Sequence, residues 1–428
     1  MLGILAVALV GGLILNVMPC VLPVLALKAF SVIDHARHDA HKRRMHGLAY
    51  TLGTMTLFVG LAVVVVIIKA SGKHLGWGMQ FQHPQFVGTM TAIVFAFALN
   101  SLGVFELTIS SSGETGDDEK FSGSYVNGLF AAIMSTPCSA PFLGTAVAFA
   151  LGADTAAWQT ILIFATIGFG LALPYLMLTQ ISALSAILPK PGRWMETVKQ
   201  LMGFLLLGTA IWLFRTLQRQ VTPESANSFL IFLLVLALAL WAGGRWGGVA
   251  APPVRRWGMR VFQVGLVASA AYLVVSFTKP EPVAVASIGP EPGHADAPVI
   301  VNNKVAWTTF DAARLKAENG RGRPVFLDFT AEWCATCQAN DKAFIETDTV
   351  RSAFARSNIL PMRVDMTNDN PDGDKWLDTI KRTGIPDYLI LYPDGTMDLL
   401  PEVITAEMVA QHLDDGAKRF PSAKFAAN

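Results

Sequence analysis

Four cysteines carry the reactive chemistry legible in this chain: Cys20, Cys138, Cys334 and Cys337. The last two stand in Glu332-Trp333-Cys334-Ala335-Thr336-Cys337, just after the apolar run Val325-Phe326-Leu327-Asp328-Phe329 with its single acid. A Cys-x-x-Cys at a helix start suits thiol–disulfide exchange. The helix N-terminus and its free N–H groups favour thiolate and lower the pKa of the first cysteine. That cysteine is expected to be exposed and to attack. The second, one turn on, resolves the mixed disulfide. A structural zinc site would need two further ligands. Residues 300–428 hold no second Cys-x-x-Cys and one histidine, His412, so no metal is expected.

The other two cysteines repeat one motif. Cys20 lies in Met18-Pro19-Cys20-Val21-Leu22-Pro23, and Cys138 in Thr136-Pro137-Cys138-Ser139-Ala140-Pro141. Both read Pro-Cys-x-x-Pro inside an apolar stretch, 118 residues apart. Alone, each reads first as a small apolar filler beside a proline kink. Together they mark an internal repeat of three spans per unit, so the second copy is inverted relative to the first. Inverted repeats place a functional site near the membrane midplane, at interrupted helices. Pro19, Pro23, Pro137 and Pro141 break the backbone ladder there. Such breaks are tolerated in hydrocarbon only against protein or a water-filled cavity. Two broken helices are therefore expected to meet, each presenting one cysteine to a wet cleft and close enough for a disulfide.

The elements that must hold these groups follow from composition. The chain is 52% hydrophobic and 15% charged, against roughly 25% charged in soluble domains. Residues 300–428 hold 15 basic and 19 acidic side chains, and the remainder 18 and 13. The net charge of +1 points to no nucleic acid. At roughly 100–200 residues per domain, two units are reasonable. Spans of about 20 apolar residues are expected at 4–33, 46–68, 86–106, 126–150, 157–180, 199–216, 226–243 and 261–277. The first has no basic start and runs on through a Pro-rich, Cys-containing stretch, so it reads as a span and not a signal peptide. Segments 34–46, 107–125, 181–200 and 243–260 carry 12 Lys/Arg, and the alternate segments 69–85, 151–157 and 215–226 carry 4. The richer set belongs in the cytoplasm, which puts both termini outside. The expected domains are a membrane domain over 1–278, a Pro-rich linker over 279–299 and a soluble domain over 300–428.

Within the soluble part, Arg363-Val364-Asp365 ends a second strand and Gly384-Ile385-Pro386-Asp387 opens a third. Pro393-Asp394-Gly395-Thr396 is a turn into a fourth. The expected order is strand, helix, strand, helix, hairpin and a final helix near 405–419. Asp-Phe-x-Ala-Glu-Trp-Cys-x-x-Cys followed by Gly-Ile-Pro resembles the thioredoxin superfamily over roughly 307–420. The Pro-Cys-x-x-Pro pair on about eight spans resembles the DsbD family, with its ScsB-type and smaller CcdA relatives, over roughly 1–278. The fold class is thus a polytopic α-helical membrane domain with inverted three-helix repeats, followed by an α/β thioredoxin-like domain.

The resemblance implies a protein-disulfide reductase with no cofactor beyond its cysteine pairs. Electrons would pass from cytoplasmic thioredoxin to Cys20 and Cys138, then to Cys334 and Cys337, then to periplasmic thioredoxin-fold acceptors. It implies that Cys334 is the nucleophile, Cys337 the resolving thiol, Asp328 the buried acid behind the pair and Pro386 the cis-proline. Glu332 joins the catalytic set, and Trp333 joins the four membrane prolines as structural motif. The implied location is a bacterial inner membrane, with lipid around the spans and both termini periplasmic. The family normally begins with a signal peptide and a soluble N-terminal domain carrying its own cysteine pair. Neither stands in these residues, so either a separate protein takes electrons from Cys334–Cys337 or the sequence is a piece of a longer chain. Asp387 replaces the usual Thr after the cis-proline, a position that touches bound partners.

Weaker features are His35, His38, His41 and His46, which beside Lys42, Arg43 and Arg44 read as a solvated inner loop, and Pro174, a hinge or an ordinary kink. The competing function class is a solute transporter with a tethered redox-sensing domain. Transporters usually need ionisable groups within spans. Lys28 and Glu106 lie at span ends, leaving cysteines as the midplane chemistry.

Overall fold

The computed structural model describes residues 2–17, 40–70, 79–105, 123–133 except 127 and 131, 157–180, 193–246, parts of 258–268, and 299–420 except 358, 383, 402 and 403. Cys20, Cys138, Pro19, Pro23, Pro137, Pro141, Lys28, Glu106, His35, His38 and nearly all of the expected linker lie outside these residues. The chain divides into two compact units: Met1–Leu75 with Pro84–Pro280, and Gly76–His83 with Glu281–Asn428.

The first unit is helical. Its helices are α1 (Leu2–Ile14), α2 (Ala40–Ala70), α3 (Pro84–Ser101), α4 (Ala157–Gln180), α5 (Arg193–Gln218) and α6 (Pro223–Trp246). Among the described residues, four are long and apolar enough to cross a membrane, over Arg44–Ile67, Ala157–Gln180, Glu196–Gln218 and Pro223–Trp246. Several helices outrun the apolar stretches that announce them. Hydropathy marks the slab a helix crosses, whereas backbone hydrogen bonds and Pro at the first helical position, as in α3 and α6, set where it starts. Helix α4 continues through Pro174.

Packing in this unit pairs α4 with α1 and α2, and α3 with α5. Gly12 of α1 and Gly170 of α4 meet backbone to backbone. A Cβ on Gly12 would overlap the Ile167 carbonyl, and one on Gly170 the Leu9 carbonyl. Small residues permit such close approach where apolar lipid supplies no drive to associate. At the end of α1, Asn16 donates from Nδ2 to the Gly170 carbonyl at 3.3 Å. Large apolar side chains such as Phe204, Ile211, Ile231 and Leu234 face outward, as hydrocarbon requires. His46 pairs with Ser124 Oγ at 2.8 Å.

The second unit is built on a five-stranded sheet of order β3-β5-β4-β6-β7. Its strands are β3 (Thr308–Thr309), β4 (Val325–Thr330), β5 (Leu360–Asp365), β6 (Asp387–Leu391) and β7 (Met397–Leu399), preceded by a small hairpin of β1 (Ile300–Val301) and β2 (Lys304–Val305). β3 and β4 run parallel to β5, while β6 is antiparallel to β4 and β7 to β6. Helices α7 (Ala312–Gly320), α8 (Ala335–Asn340), α9 (Asp348–Ser357), α10 (Pro371–Thr379) and α11 (Ala406–Arg419) accompany the sheet. A π turn over Asp341–Ile345 follows α8 directly. This is a thioredoxin-like arrangement; the expected element order, which began at β4, omitted the N-terminal hairpin, β3, α7 and α9.

Every residue of β4 is buried, which explains its unbroken apolar run: a central strand covered on both faces has no solvent side to mark by alternation. One face meets a core of Phe326, Ile345, Phe354, Tyr388, Ile390, Val409 and Leu413. Phe326 is fully buried, with ring centroids at 5.4 Å from Phe354, 6.2 Å from Trp307 and 6.3 Å from Tyr388. Phe326→Ala should therefore cost about 3–5 kcal/mol, much of the ~5–15 kcal/mol that holds a domain together. Limited proteolysis of the full chain should cut first within 300–420. An unchanged cleavage pattern would mean that the core refills the cavity.

Candidate active site

The end of β4 delivers the chain to the cysteine pair. Thr330 closes the strand, the Cys334 N–H donates to the Ala331 carbonyl at 3.1 Å, and the Trp333 indole donates to the Met366 carbonyl at 3.1 Å. Cys334 then caps α8 in extended conformation, and the Cys337 N–H donates to its Sγ at 3.1 Å. The sulfur thus receives one of the first-turn N–H groups that would stabilise its own thiolate in the reduced pair. The two cysteines form a disulfide, with Cα atoms 5.2 Å apart.

Cys334 is 7% exposed and Cys337 2%. The expected exposed nucleophile is therefore mostly covered in this oxidised form, where its sulfur is turned into the first helical turn and tied to Cys337. The second unit also takes in Gly76–His83. Its Phe81 stacks on Trp333, the residue before Cys334, with ring centroids 6.0 Å apart. Glu332 is half-buried, and its backbone N–H donates to Thr367 Oγ1 at 3.0 Å.

Asp328 stands opposite Arg363 of β5 and Tyr388 of β6. It is 2% exposed. Arg363 donates from Nε to Asp328 Oδ2 at 3.1 Å and from Nη2 to Asp341 Oδ1 at 2.8 Å. Nη2 also lies 3.0 Å from Asp328 Oδ2. The guanidinium sits 4.2 Å from the centroid of the Trp307 ring. Asn340 of α8 donates to the Tyr388 hydroxyl at 3.1 Å, tying the cysteine helix to this same face of the sheet.

The electrostatics follow from burial. Loss of water pushes the Asp328 carboxyl up to about 6; Arg363 pulls it down, and Asp341 and Asp365 push it up. Burial and the Asp328 charge also push the Tyr388 hydroxyl up. For Arg363, burial favours the neutral form, but the two carboxylates outweigh it and raise its pKa. Such a buried acid, part-neutralised by a fixed cation, is equipped to take and return a proton near neutral pH.

The Ile385–Pro386 peptide is cis. Asp387, next to it, does not reach outward as its place in the motif suggested. It is 1% exposed, and its Oδ1 lies 3.4 Å from Arg382 Nε. Alternation along β6 decides this: Asp387 pairs with Phe329 and takes the sheet face opposite Tyr388 and Asp328.

Sequence reading missed Arg363, Asp341, Trp307, Tyr388 and Asn340 as members of this cluster. The one available signal was spacing: Asp341 follows Cys337 by four residues and so shares its helix face.

Fold and site together define a dithiol domain of thioredoxin type joined to an apolar helical membrane domain. Residues 1–218 match the family described as "Cytochrome C biogenesis protein transmembrane domain", of DsbD type, and residues 306–393 match a thioredoxin-like family. The chain belongs to this DsbD membrane-domain family and is a membrane protein. The "Thiol:disulfide interchange protein DsbD" of Ralstonia nicotianae is 28% identical over 413 residues, covering 92% of this chain and 65% of the relative. "Thiol:disulfide interchange protein DsbD 2" of Pseudomonas aeruginosa is 27% identical over 398 residues, covering 90% of this chain and 65% of the relative. The chain thus spans about two-thirds or slightly less of these curated relatives' length, 65% in both cases. The crystal structure of the Neisseria meningitidis DsbD c-terminal domain in the reduced form aligns at 22% identity and TM-score 0.23, over 26% of this chain and 99% of that one.

Proposed function

We propose that this chain is a transmembrane protein-disulfide reductase that relays electron pairs by thiol exchange alone. The observation that carries the reading is a disulfide-bonded Cys334–Cys337 pair at a helix start, in a domain that also holds the buried Asp328 and a cis Ile385–Pro386 bond, in a chain that belongs to a DsbD-type membrane family. In this reading residues 1–278 are the electron-transfer domain, 279–299 the linker and 300–428 the periplasmic output domain. The protein lies in a bacterial inner membrane with both termini periplasmic.

The chemistry is three exchanges that balance. A thiolate of cytoplasmic thioredoxin attacks the Cys20–Cys138 disulfide; its second cysteine resolves the mixed species, and the membrane pair becomes a dithiol. A membrane thiolate next attacks the Cys334–Cys337 disulfide, and its partner cysteine resolves, so two electrons move to the C-terminal pair. Cys334 then attacks an acceptor disulfide, and Cys337 displaces the acceptor as a dithiol. Each exchange needs sulfur-to-sulfur contact, so Cys20 and Cys138 must face each side of the membrane in turn. Pseudo-equivalent states of an inverted repeat supply such alternation. Periplasmic thioredoxin-fold proteins are the acceptors.

The test is the redox state of Cys334 and Cys337 in growing cells, read by alkylation and gel mobility. Wild-type chain should hold a substantial reduced fraction. Cys20→Ala or Cys138→Ala should leave the C-terminal pair fully oxidised. Continued reduction in either variant would refute the relay.

A further inference from the structure

Asn16 stands in a 3-10 turn over Leu15–Val17 that follows α1 directly. It is the last polar side chain before Met18-Pro19-Cys20. Its amide Nδ2 donates toward three carbonyls, each at 3.3 Å: Gly12 and Leu13 of α1, and Gly170 of α4. Its Oδ1 is buried and accepts no hydrogen bond among the described residues, so the donated bonds alone fix the direction of the amide. Polar side chains commonly act as glue between membrane helices. What singles out Asn16 is the carbonyl it takes on α4.

In an α-helix the carbonyl of residue 170 accepts from the N–H of residue 174. Residue 174 is proline, which has no N–H, and α4 continues through it. The Gly170 carbonyl is thus left open within its own helix, at a buried residue. An open carbonyl away from water is costly. Asn16 supplies the missing donor from another helix. It does so where α1 and α4 already meet backbone to backbone at Gly12 and Gly170. The bond fixes the root of the first Pro-Cys-x-x-Pro motif, because the four residues from Asn16 to Cys20 reach at most about 14 Å.

We propose that Asn16 is a positioning residue for Cys20: its bond to the carbonyl that Pro174 leaves open anchors the end of α1, where the Cys20 motif begins, to α4, and so favours closure of the Cys20–Cys138 disulfide. The proposal rests on the reductase reading above. In that reading the membrane disulfide closes each time the pair has passed two electrons on. Both thiols lose their protons, the sulfur–sulfur bond forms, and the disulfide that takes the electrons opens to two thiols. Closure needs Cα atoms about 4.4–6.8 Å apart. Freedom left to Cys20 must be given up on closure, so an anchored root makes the bond easier to form. Asn16→Leu keeps the size of the side chain and removes the donor. The pair should then be easier to reduce.

The experiment uses the full chain with Cys334→Ala and Cys337→Ala, purified in detergent, so that Cys20 and Cys138 are the thiols present. The chain is equilibrated with set ratios of oxidised to reduced dithiothreitol and alkylated, and the ratio giving half oxidation is read by mass. Asn16→Leu should raise that ratio about tenfold. Pro174→Ala separates positioning from mere pairing. It gives residue 174 an N–H that serves the Gly170 carbonyl from within α4. A carbonyl accepts two hydrogen bonds, so Asn16 keeps its link there. In the Pro174→Ala background, Asn16→Leu should still raise the ratio about tenfold, because the link to α1 is lost again. Its cost in thermal stability should shrink, because the carbonyl stays paired. A redox shift that vanishes along with the stability cost means that Asn16 only fills a carbonyl, and overturns the proposal. So does an unmoved ratio in both backgrounds, or an equal stability cost in both. If Asn16→Leu alone fails to fold, the double variant compared with Pro174→Ala decides: a retained shift supports the proposal and its absence overturns it. The reductase reading fails separately, if the C-terminal pair stays reduced in cells carrying Cys20→Ala. A wild-type chain in which Cys20 and Cys138 form no disulfide refutes both.

Discussion

Cys337→Ala is expected to stop turnover and leave the acceptor covalently attached to Cys334. The acceptor's disulfide is opened when Cys334 attacks. With the resolving sulfur gone, nothing placed one helical turn away can displace it. The structure shows how closely that second sulfur is held: the two cysteines occupy one helical turn with Cα atoms 5.2 Å apart, and Cys337 is 2% exposed. Only an external thiol could then release the acceptor, and such attack lacks the advantage of a pre-positioned group, worth ~10⁵ M or more in effective concentration. The expected result is a mixed-disulfide adduct on non-reducing gels that collapses under reductant, together with steady-state reduction near background. Mass spectrometry of the adduct would name the acceptor. Turnover at the wild-type rate, or adducts formed equally by Cys334→Ala, would contradict the assigned order of attack.

Asp328→Asn should slow resolution about a hundredfold near neutral pH, the low end of what a positioned acid–base group contributes. The asparagine keeps the shape of the site and Arg363 keeps Asp341 as a partner, so the fold should persist. First attack by Cys334 should change far less than resolution by Cys337. Equal rates for variant and wild type across pH 6–9 would remove Asp328 from the mechanism.

The same substitution should alter stability in a predictable sense. The folded-state pKa of about 6 lies above the ordinary 3.8. Between those values the folded chain holds a proton that the unfolded chain has released. The associated stability is therefore fully present below about pH 4 and is lost as pH rises through 6. Across that window the loss approaches about 3 kcal/mol. Asparagine does not titrate, so Asp328→Asn should be relatively more stable than wild type at pH 8 than at pH 5. Hydrogen exchange of β4 amides in the full chain, corrected for intrinsic rates, would read this difference; its absence would mean that Asp328 is not the titrating group.

Much of the architecture was legible because its causes are local. Long apolar segments are required of any chain that must satisfy its backbone within hydrocarbon, so α2, α4, α5 and α6 are visible in composition alone. The solid apolar run at 325–329 marks a strand buried on both faces, and Cys-x-x-Cys after it marks a helix start. Gly384-Ile385-Pro386 marks the opening of β6, and Pro393-Asp394-Gly395 its hairpin to β7.

What the tertiary structure alone decided concerns partners far apart in the chain. Asp328 and Arg363 are 35 residues apart and become neighbours through a parallel strand register that local sequence does not encode. Asp341 and Arg363 are 22 residues apart, and their ion pair likewise depends on how the cysteine helix is laid on the sheet. The near-complete cover of Cys334, 7% exposed in the disulfide form, is a property of the packed domain and not of the motif. Asp387 turned inward because strand alternation, set by pairing with Phe329, overrides the motif position that pointed it outward. A motif names the atoms that react, whereas their charge, exposure and proton traffic come from whatever the fold packs against them, because electrostatic strength depends on burial and on distances of a few ångströms.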